Sequence, residues 1–148
     1  MVDGNLQWSI NNVSFYLPNT PYLIVVKNKW HNVFNQTSPP DGYDFRDYDI
    51  FSPPKNVNAT SSSSIYKLPF NSVVDVIIQN ANTMTPNNSE THPWHLHGHD
   101  FWVMGHGKGK FDVKNDPKKF NLVNPAMKNT VVVQPWGWVA LRFRADNP

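Results

Sequence analysis

The stretch Trp138-Val139-Ala140-Leu141-Arg142-Phe143-Arg144 alternates along its length, with Val139, Leu141 and Phe143 on one side and Ala140, Arg142 and Arg144 on the other. A period of two is that of a β-strand with one buried and one wetter face. Working outward, shorter apolar runs at Leu6 to Phe15 (interrupted at Asn11-Asn12), Ile65 to Leu68, Val73 to Asn80, Phe101 to Gly105 and Thr130 to Gln134 read as further strands. Pro, Gly and Asn turns separate them, so the chain is expected to be all-β, a sandwich or Greek-key barrel. One helix is expected: Thr20-Pro21 supplies an N-cap and a first helical residue. Tyr22, Val26, Trp30, Val33 and Phe34 then recur at helical spacing.

Composition agrees. The 148 residues are 39% hydrophobic and 14% aromatic, enough for one domain with a packed core rather than a disordered chain. Thirteen prolines and a single glutamate, Glu90, disfavour helices. A formal charge of +2 leaves no footprint for nucleic acid, and the lysines between Lys108 and Lys119 alternate with Asp112 and Asp116 like a solvated surface. No apolar run is long enough for a membrane span, and the first residues lack a signal peptide's pattern. Sequons begin at Asn12, Asn35, Asn58 and Asn87 and permit a secreted origin. Asp41 to Asp49 is acidic and aromatic and reads as a surface loop. Gly105 to Lys110 lacks P-loop spacing and reads as a Gly-rich hairpin connection.

The chemistry is concentrated in one octapeptide, His92-Pro-Trp-His95-Leu-His97-Gly-His99. Imidazole ligates copper, zinc, iron and nickel, and four rings in eight residues are hard to account for by packing alone. On an extended backbone His95, His97 and His99 project to one side, while His92 falls at odd spacing and can serve a different ion. His99, followed by Asp100, is expected to pack or to support a ligand rather than to be one. His31 and His106 read as surface or packing residues. No cysteine occurs, so no thiolate can take part.

From Thr91 through Gly105 the chain resembles the His-rich motif of the multicopper oxidases. Trp94 and Asp100-Phe101-Trp102 give it the flavour of plant ascorbate oxidases rather than laccases. The resemblance continues through Trp8 to Ser14, Tyr48 to Ile50, Val74 to Asn82, Asn124-Pro125, Asn129 to Val131, Gly137-Trp138 and Ala145 to Pro148. It covers nearly the whole chain, and the matching part is the family's third cupredoxin-like domain.

What this resemblance implies is specific. The fold is a cupredoxin-like Greek-key domain spanning 1–148, incomplete at its C-terminal end. His92 would serve the type 1 copper, His95 the type 2 copper and His97 one type 3 copper. The parent protein would oxidise ascorbate or a similar small reductant and reduce dioxygen to water, secreted to the plant cell wall. Trp8 aligns with a tryptophan that holds the substrate ring; without the resemblance it reads equally as a core residue. The family continues past Asp-Asn-Pro to a His-Cys-His segment, and its other cupredoxin domains donate the remaining histidines. Lacking those, this chain is expected to be inactive alone, with an open sheet edge and a tendency to aggregate. The other readings are a copper- or zinc-binding module without turnover, and an inert truncated paralogue.

Overall fold

The computed structural model describes residues 1–36, 47–54 and 59–147. The expected surface loop at Asp41 to Asp49 lies mostly outside them, as does the sequon at Asn58. The chain divides into two compact units, Met1–Tyr48 with Lys55–Lys67, and Asp49–Pro54 with Leu68–Pro148.

In the first unit Asn11 and Asn12, with φ of 50° and 63°, form the two-residue turn of a tight hairpin, closed by reciprocal bonds between Ile10 and Val13. Asparagine tolerates that left-handed backbone better than most residues, and of the strand expected from Leu6 to Phe15 only the part after this turn forms, Leu6 to Ser9 taking none. Strand β1 (Val13–Phe15) then pairs in parallel with β2 (Thr60–Ser62). The serine run is therefore the strand; Ile65 to Leu68, expected to be one, forms none. Helix α1 (Tyr22–Lys27) is shorter than its periodicity suggests. Its N-cap is Pro21, with no side-chain cap, rather than Thr20. Of the helical region only Val25 and Phe34 are buried, and Tyr22, Val26 and Trp30 are exposed. The expected apolar face therefore does not become a core face.

The second unit carries strands β3 (Val73–Gln79), β4 (His92–His95), β5 (Phe101–Lys108), β6 (Ala126–Lys128), β7 (Thr130–Val133) and β8 (Gly137–Arg144). A four-stranded antiparallel sheet runs β3-β8-β5-β6, and β4 and β7 form a separate two-stranded antiparallel sheet. Between them lies the main core. Phe101, Val139, Leu141 and Phe143 of the larger sheet meet Val133, Trp94, Leu96 and Val131 of the smaller sheet and its continuation. In the second unit two sheets face each other across one apolar layer, with no closed barrel among the described strands: it is a cupredoxin-like, mostly-strand sandwich.

Strand β8 is where the alternation needs correcting. Val139, Leu141 and Phe143 do face the core, but Ala140 on the supposedly wetter face is fully buried. Ala140 joins Trp138 and Met104 in a second cluster, roofed by Phe111 and Phe120. Phe111 meets Trp138 edge-on at 4.9 Å. A register shift between Val103 and Gly105 leaves Met104 as an extra residue in β5, and Met104 is itself buried in this cluster. The Gly-rich stretch is largely strand, not hairpin connection, since Gly105 to Lys108 pair with β8; a β-carbon at Gly107 would come 2.7 Å from the Trp138 ring, which is why glycine stands there. Only Arg142 and Arg144 at the end of β8 meet solvent, and Arg142 grips Asp75 of β3 with two bonds of 2.6 and 2.8 Å.

Candidate metal centre

Strand β4 places the histidines. It pairs with β7 so that His92 lies opposite Val133, Trp94 opposite Val131 and His95 opposite Thr130. Trp94 points into the main core. By strand alternation His92 shares that side, half-buried, and His95 takes the other side, exposed. The odd spacing of His92 therefore separates it from His95, as the sequence suggests. His97 is also exposed, and its ring centroid lies 4.9 Å from that of His95.

The alternation stops there. Gly98 has a φ of +74°, which turns the chain, and its missing β-carbon accommodates the Asn147 amide. His99 consequently does not continue their row, although it lines the pockets beside both of them and its Nδ1 lies 3.5 Å from the His97 main-chain oxygen. Its ring packs edge-on against Phe143 at 5.3 Å, and its Nε2 lies 3.8 Å from Asp146. That nitrogen is shielded and has no hydrogen-bond partner among the described residues. His31 and His106 are both exposed.

His95 is the most firmly held ring of the pair. Its Nδ1 lies 2.6 Å from the main-chain oxygen of Asn129 and 3.1 Å from the Thr130 hydroxyl. Sequence reasoning missed both residues as functional candidates; the β4–β7 register brings them to His95, and a register is not visible in either strand alone. Two open pockets flank the pair. One of about 270 Å³ sits beside His95 and Asn129; the other, about 350 Å³, is walled by Phe70, Leu96 and Phe143 next to His97.

Chemically this donor set fits copper in part. Two neighbouring imidazoles, one oriented through its second nitrogen, are what a copper or zinc ion recruits. Among the described residues, however, no group of three His, Cys, Asp or Glu side chains comes together around one point. Trp8 is 72% exposed in this chain. None of the described helices is long and apolar enough to cross a membrane.

Comparison with known proteins decides the family. A family model described as multicopper oxidase matches residues 18–148. The chain belongs to the multicopper oxidase family. An L-ascorbate oxidase of Cucumis sativus is 53% identical over 147 residues, covering 99% of this multicopper oxidase chain and 25% of that protein. An L-ascorbate oxidase of Brassica rapa subsp. pekinensis is 53% identical over 148 residues, 100% of the chain and 26% of its own length. Laccase-11 of Arabidopsis thaliana is more distant, 39% identical over 147 residues, with 97% and 25% covered. The chain thus spans about a quarter of the length of the curated relatives it matches. Copper is the metal that membership of this family implies.

Proposed function

We propose that this chain is a copper-binding segment of an ascorbate oxidase-like multicopper oxidase, a secreted protein that oxidises ascorbate or a similar small reductant and reduces dioxygen to water. The observation supporting it is that His95 and His97 stand ring to ring on one side of β4, with His92 on the other side of the same strand. In this reading His92 serves a type 1 copper, His95 a type 2 copper and His97 a type 3 copper. When bound, copper supplies the reversible one-electron chemistry that imidazole and carboxylate side chains lack.

The chain's own residues then have definite tasks. Trp94 anchors β4 in the core and so fixes the direction in which the flanking histidines leave the strand. Asn129 and Gly98 hold the two ends of the His95–His97 segment. Trp8, being exposed, offers a flat face to the reductant's ring. The segment is one partial cupredoxin-like domain, residues 1–148, and the rest of the parent supplies the thiolate and the remaining histidines. Alone, the chain turns nothing over.

A chimera tests this. The matching quarter of the Cucumis sativus L-ascorbate oxidase would be replaced by this chain, and copper content and ascorbate-dependent oxygen uptake measured. Retained activity is expected, with loss on His95→Ala or His97→Ala and a raised KM on Trp8→Ala. A chimera that folds but takes up no oxygen, with copper content indifferent to the histidines, would sink the reading. The adjacent rings of His95 and His97 also suit a second reading, a copper- or zinc-binding module without turnover. That reading is supported if the chimera holds metal through His95 and His97 yet stays inactive.

A further inference from the structure

We infer that Asn129 and Thr130 are positioning residues that lock His95 in a single tautomer, with the proton on Nδ1 and the lone pair of Nε2 left bare. The geometry leaves little alternative. A main-chain carbonyl has no hydrogen to give, so an Nδ1 placed 2.6 Å from the Asn129 oxygen must carry the proton itself. The Thr130 hydroxyl reinforces this. Its own hydrogen is donated to the Asn129 side-chain oxygen at 3.0 Å, so the lone pair of the hydroxyl faces His95 at 3.1 Å as a second acceptor.

The same Asn129 carbonyl also accepts the main-chain N–H of Leu96 at 3.2 Å. One oxygen thus ties both the ring of His95 and the backbone just after it. Because His95 and Thr130 are directly paired in the β4–β7 ladder, the arrangement is built from strand register rather than from loop placement. The consequence is a ring fixed in plane and tautomer before any ion arrives, with Nε2 the only nitrogen able to ligate. A neutral histidine exposed to water otherwise favours the opposite tautomer, the proton on Nε2, so this is a state the protein imposes.

The tautomer follows from the geometry alone, whereas its use for copper rests on the function proposed above. Long-range ¹H–¹⁵N correlation spectra of the chain at pH 8, without metal, test the first directly. They are expected to show His95 protonated on Nδ1. Thr130→Val keeps the shape and strand preference but removes one acceptor; it is expected to shift the tautomer ratio about five-fold toward Nε2–H and to weaken Cu(II) binding about ten-fold. Thr130→Ser should restore both. A wild-type His95 protonated on Nε2 overturns the inference, and a Thr130→Val protein with unchanged tautomer ratio removes Thr130 from it. The wild-type spectrum does not depend on any variant folding. If His95 carries its proton on Nδ1 but added Cu(II) leaves its resonances untouched, the positioning stands and the copper reading fails.

Discussion

Gly98 lies directly against the side-chain amide of Asn147, with no space between them for a β-carbon and with a φ of +74°. The two residues are far apart in sequence, yet together they decide where the histidine row ends. Up to His97 the rings follow the strand's alternation; beyond Gly98 the chain has turned, and His99 packs on Phe143. Gly98→Ala should therefore destabilise the domain by roughly 1–3 kcal/mol, from left-handed backbone strain and the collision combined. Denaturant midpoints read this. Adding Asn147→Gly should recover the collision part and leave the backbone part, so a double mutant as stable as wild type would contradict the account.

The sandwich core and the surface ion pair on β8 should behave very differently. Phe101 is 1% exposed between the two sheets, and Phe101→Ala is expected to cost roughly 3–5 kcal/mol. Arg142→Ala breaks a bidentate pair with Asp75, but both side chains are about two-fifths exposed, so the loss should stay below about 1 kcal/mol. Equal costs for the two substitutions would mean that the core is not where the structure puts it.

Acid should act through Asp116. The main-chain N–H of Asp112 and then the Lys119 ammonium hold its carboxyl below the ordinary value of 3.8. A carboxylate with a depressed folded-state pKa stabilises the fold above its unfolded value, and that contribution disappears as pH falls through the lower, folded value. Asp116→Asn is therefore expected to lower Tm at pH 7, with the difference from wild type closing below about pH 4. A Tm difference that persists undiminished at pH 2 would show that the charge is not the cause.

Strand β3 is bonded only to β8 among the described strands, and Val73 on it is 57% exposed. An open, apolar edge invites pairing between copies. Val73→Lys should reduce light scattering of concentrated solutions while changing stability by no more than about 0.5 kcal/mol. Unchanged scattering would point to aggregation through another surface.

Legibility followed the range of the interactions. The core side of β8 could be read from Val139, Leu141 and Phe143 because a strand's period is local. The burial of Ala140 could not, since Phe111 and Phe120 that cover its cluster come from a distant connection. Ile65 to Leu68 looked like a strand by composition, but strand formation there depends on a partner, and β1 pairs with Thr60–Ser62 instead. At the candidate site, the separation of His92 from His95 was legible as odd spacing. The departure of His99 had a visible cue in Gly98, which admits the positive φ that ends an extended run. Asn129 carried no cue at all, because its contribution is a carbonyl oxygen that every residue possesses.

His95 and His97 present a shared face to one metal region while His92 stands apart. Adding Cu(II) in small steps to the isotopically labelled chain, and following each imidazole's signals by NMR, tests this arrangement most directly. His95 and His97 are expected to broaden together at the lowest additions, with His92 retaining sharp signals until more copper is present. Simultaneous loss of His92 with His95, or copper that broadens His31 and His106 first and spares this pair, would contradict it.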